Sequence, residues 1–120
     1  RISRKATSSR PSTNERSSGR SIRDVHVLAV ELDIRLPHCQ SLKDKRAVLR
    51  PVIEGLRHRH PVAVAEVDHQ DLWQRAAIGM AVVSATPSHA EEMMDEAERF
   101  VWSFPELEVL RSVSSWLEED

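Results

Sequence analysis

Pro61-Val-Ala-Val-Ala-Glu-Val-Asp-His-Gln-Asp-Leu-Trp-Gln-Arg-Ala-Ala-Ile-Gly-Met-Ala-Val-Val-Ser84 is the stretch on which the fold turns. Val62 to Val67 is β-branched and opens after a proline, so it reads as a strand. Ala76 to Val83 is a second apolar run, closed by Ser84 and Pro87. Between them lie Asp68, His69, Gln70, Asp71, Leu72, Trp73, Gln74 and Arg75, more functional groups than a plain hairpin turn requires.

Upstream, Val25 to Leu36 alternates strictly. Leu28, Val30, Leu32, Ile34 and Leu36 share one side, and the other set ends in Glu31, Asp33 and Arg35, which predicts a half-buried strand. Pro37 stops it. Ser41 suits a helix N-cap. A helix is predicted from Leu42 to about His60, with Leu42, Leu49, Val52, Ile53 and Leu56 as its apolar stripe. Pro51 lies mid-helix and predicts a kink or a restart. Lys43, Lys45, Arg46 and Arg50 crowd the first half, where cations oppose the helix dipole, so they are expected to serve something external.

Downstream, Thr86 and Pro87 fit a helix start. Ala90, Met93, Met94, Ala97, Phe100, Val101 and Phe104 recur at spacings of three and four, opposite a run of carboxylates that reads as a solvated face. Leu107 to Val113 is the last predicted strand, with Trp116 and Leu117 packing back beyond it. The order β-α-β-β-α-β predicts an α+β ferredoxin-like sandwich, a four-stranded antiparallel sheet with two helices on one face. The other face is left open, with Val27, Ala29, Glu31, Asp33 and Arg35 beside Arg75, Ala77, Gly79, Ala81 and Val83. That face has no aromatic ring on which a base could stack, so it is a poor nucleic-acid platform. Its small residues would instead admit a second copy, and a homodimer is the expected alternative to nucleic-acid binding.

At 120 residues the chain is one domain. Residues 1–24 carry seven Arg or Lys against Glu15 and Asp24, leaving a net −7 on the rest. This basic, Arg/Ser-rich segment is almost devoid of apolar residues and is expected to be disordered, as an RNA-touching arm or as an extension without a role. Residues 25–117 form the folded domain, and residues 118–120 an acidic end. The single Cys39 allows no internal disulfide and fits a reducing compartment. No apolar run approaches the ~18 residues of a membrane helix, so no membrane partner is expected.

Zinc sites use paired, spaced Cys/His clusters, which His38-Cys39, His58-x-His60 and His69 do not form, so no metal is expected. Cys39 with a histidine lacks an orienting motif for nucleophilic catalysis. Glu66, Asp68 and Asp71 fit turn-capping, or pairing with Arg75, better than acid–base work. Gly19, Gly55 and Gly79 cannot form a phosphate loop. No catalytic residue and no cofactor is expected. Two candidate sites remain: the cations Lys43, Lys45, Arg46 and Arg50, with Arg75, for RNA or a partner; and the loop residues Glu66, Asp68, His69, Gln70, Asp71 and Trp73. Trp73 is either an interface anchor or a lid on the core.

Ser41-Leu42-Lys43-Asp44-Lys45-Arg46, followed by Ala65-Glu66-Val67-Asp68-His69-Gln70-Asp71-Leu72-Trp73-Gln74-Arg75 and Gly79, closely resembles the YlxP-like family, a bacterial family of unknown function. The resemblance covers about Val25 to Leu117. It implies a ferredoxin-like fold and a cytoplasmic protein whose relatives are often encoded beside translation-initiation and ribosome-maturation factors. It implies no catalytic residues. The expected role is thus a non-enzymatic accessory of translation or ribosome maturation, contacting ribosomal RNA or the small ribosomal subunit.

Overall fold

The computed structural model describes residues 24–117; the expected basic segment and acidic end lie outside the described residues, apart from Asp24. The elements are β1 (His26–Arg35), α1 (Leu42–Arg59), β2 (Ala63–Asp68), β3 (Arg75–Ser84), α2 (Pro87–Trp102) and β4 (Glu108–Trp116). The strands form one antiparallel sheet in the order β2-β3-β1-β4, and both helices pack on one face. This is the ferredoxin-like arrangement that the β-α-β-β-α-β order implies.

Period-two alternation places Leu28, Val30, Leu32 and Ile34 of β1 under the helices, with Ala76, Ile78, Met80 and Val82 of β3 beside them. Leu49, Val52 and Leu56 of α1, and Ala90, Met94, Ala97 and Val101 of α2, close the core from above. Phe100 joins the helices. Its ring meets Phe104 edge-on at 5.2 Å and lies 5.3 Å from the His60 ring, with the Arg59 guanidinium 5.7 Å from its centroid. A side chain at Gly55 would run into that ring, so the close approach of α1 to Phe100 requires glycine here.

β4 runs further than its apolar signal predicts. Ser112, Ser114 and Ser115 pair with Leu32, Val30 and Ala29, because ladder bonds come from the backbone whatever the side chain. Trp116 is the last residue of β4 and packs on the core, and the Leu117 N–H donates to Val27 O at 3.0 Å. Of the two expectations at Pro51, the restart is corrected: one helix, α1, runs through it. The bond Pro51 cannot make leaves Ala47 O without that donor, at a point where both residues are exposed.

Candidate functional site

The site is built around the start of α1 and the loop joining β2 to β3. Ser41 Oγ accepts the Asp44 N–H at 3.0 Å, and the Asp44 carboxylate accepts the Gln40 N–H at 2.9 Å. This reciprocal cap fixes the rotation of the helix, and with it the direction of every side chain that follows.

Lys45 then falls on the inner face, four residues before Leu49 and in step with Val52 and Leu56. It is the one buried charged residue among those described, at 2% exposure. Its ammonium donates to His69 O at 2.7 Å and to Leu72 O at 2.9 Å, and stands 2.8 Å from Glu66 Oε2. Two of its donors are hydrogen-bonded to carbonyls, and the Glu66 carboxylate matches its charge. The expectation that Lys45 serves an external phosphate is therefore corrected: it is the internal clamp of the 68–74 loop.

The clamp explains the loop geometry. His69 adopts φ 62°, a left-handed conformation rare for a residue with a Cβ. Asp68 Oδ1 accepts the His69 N–H at 2.7 Å, and the Leu72 N–H donates to His69 O at 3.0 Å. At the far end the Gln74 amide donates to Cys39 O at 3.0 Å, while Gln74 O accepts from Leu36 N–H at 2.9 Å. The backbone is held from both sides, yet Leu72 and Trp73 remain 47% and 52% exposed. Trp73 is not a lid on the core.

Lys43, Arg46 and Arg50 are exposed on α1, and among the described residues none has a carboxylate within ion-pair distance. Arg46 and Arg50 line an open groove of about 440 Å³ between α1 and the loop, together with Arg57, Glu54, Glu66 and Gln70. Leu42, Leu49 and Ile53 give it an apolar floor. Arg57 also donates to Val64 O, and the Gln70 amide to Glu66 O, each at 3.4 Å along β2.

Arg75 is not part of that group. It lies on the open sheet face, where one guanidinium nitrogen reaches both Asp33 oxygens at 2.7 Å. This hydrogen bond holds the Asp33 carboxyl below its ordinary pKa against a desolvation penalty, with further help from the Arg75, His69 and Arg111 charges. His69 Nε2 stands 3.9 Å from Asp33, beyond hydrogen-bond reach. Burial pushes the Cys39 thiol up, the state of an unreactive cysteine. Among the described residues no three His, Cys, Asp or Glu side chains gather as metal ligands, and no helix is long and apolar enough to cross a membrane.

The fold is similar to that of a de novo designed protein, Foldit4, with a TM-score of 0.45 and 14% identity over 78% of this chain and 99% of that one. It is also similar to a C-terminal segment of the alpha subunit of aIF2 from Pyrococcus abyssi, with a TM-score of 0.42 and 13% identity over 80% of this chain and 51% of that one. In sequence the chain is 36% identical over 76 residues to the uncharacterized protein YlxP of Bacillus subtilis (strain 168), covering 63% of this chain and 83% of that protein. Residues 27–113, spanning the capped helix, the clamped loop and most of β4, match the family described as protein of unknown function (DUF503). The chain belongs to that family and is a YlxP-like member of it.

Proposed function

We propose that this chain is a non-enzymatic cytoplasmic accessory of translation or ribosome maturation that contacts ribosomal RNA or the small ribosomal subunit through the outer face of α1. The observation that carries this reading is the row Lys43, Arg46 and Arg50, exposed and unmatched by any described carboxylate, with the last two opening onto the groove beside Gln70. Cations spaced three and four residues apart share one face of a helix and meet a phosphate backbone together. The described residues carry more Asp and Glu than Arg and Lys, so a run of three exposed cations on one helix supports anion binding there. The expected encoding of relatives beside translation factors supports the reading by association. The non-enzymatic part is supported by the buried Cys39 thiol and by Asp33, whose oxygens are taken up by Arg75.

Filter binding of ribosomal RNA at rising salt tests it. Each phosphate contact on single-stranded RNA contributes about −0.7 to the slope of log affinity against log salt. The variant Lys43→Ala/Arg46→Ala/Arg50→Ala should therefore bind more weakly and flatten that slope by about 2. Equal affinity and slope in variant and parent would remove the site.

A second reading is a homodimer through the open sheet face. It is favoured by Val67, Val83 and Val113, the most exposed of which, Val83, is 64% exposed, around the small residues Ala29, Ala77, Gly79 and Ala81. Light scattering on the parent and on Ala81→Arg tests it, and a monomeric parent rejects it.

A further inference from the structure

We infer that Trp73 is a stacking platform for an unpaired RNA base, so that the RNA held by α1 is single-stranded or looped rather than duplex. This rests on the α1 reading above and names the kind of RNA it takes. Trp73 is half exposed and is not among the residues of the core. Its backbone cannot shift to bury it, because Lys45 holds the carbonyls of His69 and Leu72 while Gln74 is tied to Cys39 and Leu36. A large aromatic surface is thus offered to solvent on a fixed support. Binding there costs little further ordering, which is the condition for an energetic anchor.

Charge selects the kind of partner. Four carboxylates around the loop are already engaged: Glu66 with Lys45, Asp68 with the His69 N–H, Asp44 with the Gln40 N–H, and Asp33 with Arg75. Asp71 in the loop and Glu54 on α1 are without such a partner among the described residues, against Lys43, Arg46 and Arg50 on the same helix. Gln70 belongs to the loop that carries Trp73 and also lines the groove with Arg46 and Arg50, so that loop borders the cations. A polyanion that also presents free ring faces satisfies both halves. In a duplex the faces are covered by neighbouring bases, whereas in a loop or single strand they are open.

The test uses the full chain, a fluorescein-labelled oligouridine and a blunt RNA duplex of matched length, read by fluorescence anisotropy. Trp73→Ala should weaken oligouridine binding by about 5- to 150-fold, the loss of one base stack, and leave duplex binding and the salt slope unchanged. Trp73→Phe should keep most of the affinity, and it keeps the inference testable should the alanine variant fold poorly. If Trp73→Ala binds oligouridine like the parent while Arg46→Ala/Arg50→Ala binds it weakly, stacking is overturned and the α1 reading stands. A parent that prefers the duplex overturns stacking alone as well. A parent that binds neither RNA overturns both. Unchanged RNA affinity with loss of binding to purified small-subunit proteins would identify Trp73 as a protein anchor and overturn the inference.

Discussion

Replacing Lys45 with methionine keeps the unbranched chain to within one atom and removes its charge and three donors. In the parent the ammonium meets Glu66 Oε2, His69 O and Leu72 O, and its side chain is 3% exposed. Removing one partner of a buried ion pair costs about 3–5 kcal/mol, because the other charge is left stranded. Here Glu66 retains 24% exposure and recovers some hydration, and the two carbonyls lie near the surface, so about 2–4 kcal/mol is expected. For a domain of this size that lowers Tm by about 10–20 °C. Urea unfolding followed by circular dichroism measures the loss, with Lys43→Met as the surface control expected within about 0.5 kcal/mol of the parent. Lys45→Met/Glu66→Met should recover part of the stability, since an apolar pair strands no charge. A Lys45→Met variant as stable as the control would refute the clamp.

Gly55→Ala gains about 1 kcal/mol in helix propensity but drives a methyl group into the Phe100 ring, which costs about 1–3 kcal/mol, so the parent should be destabilised. In a Phe100→Ala background the sign should reverse, read as a rise in Tm; a stabilising Gly55→Ala in the parent would contradict the packing. Asp33 has a lowered folded-state pKa, so its contribution to stability is present above the ordinary value of about 4 and is lost as pH falls through the lowered one. Asp33→Asn should therefore flatten the acid limb of an unfolding titration, and an unchanged limb counts against the Arg75 pair. Glu98 has the opposite sign: burial, with Asp95 beside it, raises its carboxyl and outweighs the Ser112 hydrogen bond, so ionisation opposes folding. Glu98→Gln should be more stable than the parent at neutral pH and should converge with it in acid, as paired unfolding midpoints would reveal.

The strands were legible because one face of each is buried. The alternation of Leu28 to Leu36 follows directly from that burial, as does the apolar face of Ala76, Ile78, Met80 and Val82. The end of β4 was not legible, because the ladder there holds serines whose propensity says nothing about the backbone bonds they make. Lys45 shows a different failure. Its spacing to Leu49, Val52 and Leu56 places it on the inner stripe, but its flanking cations drew it into the outward group. What it binds are main-chain carbonyls twenty-four and twenty-seven residues away, and a carbonyl has no residue type to read. The loop was recognisable as rich in functional groups, but the left-handed turn at His69 and the exposure of Trp73 follow from that clamp and not from local propensity.

The side chains laid along β2 have a consequence for how the sheet can grow. An outer strand carries main-chain acceptors that a newcomer can use to extend the sheet. Arg57 and Gln70 already occupy Val64 O and Glu66 O, so a strand docking at that margin would first have to displace both. β4 bounds the opposite margin. Lateral addition is thus disfavoured on the side nearest the α1 groove, and that flank is left for side-chain recognition rather than for templated β-assembly.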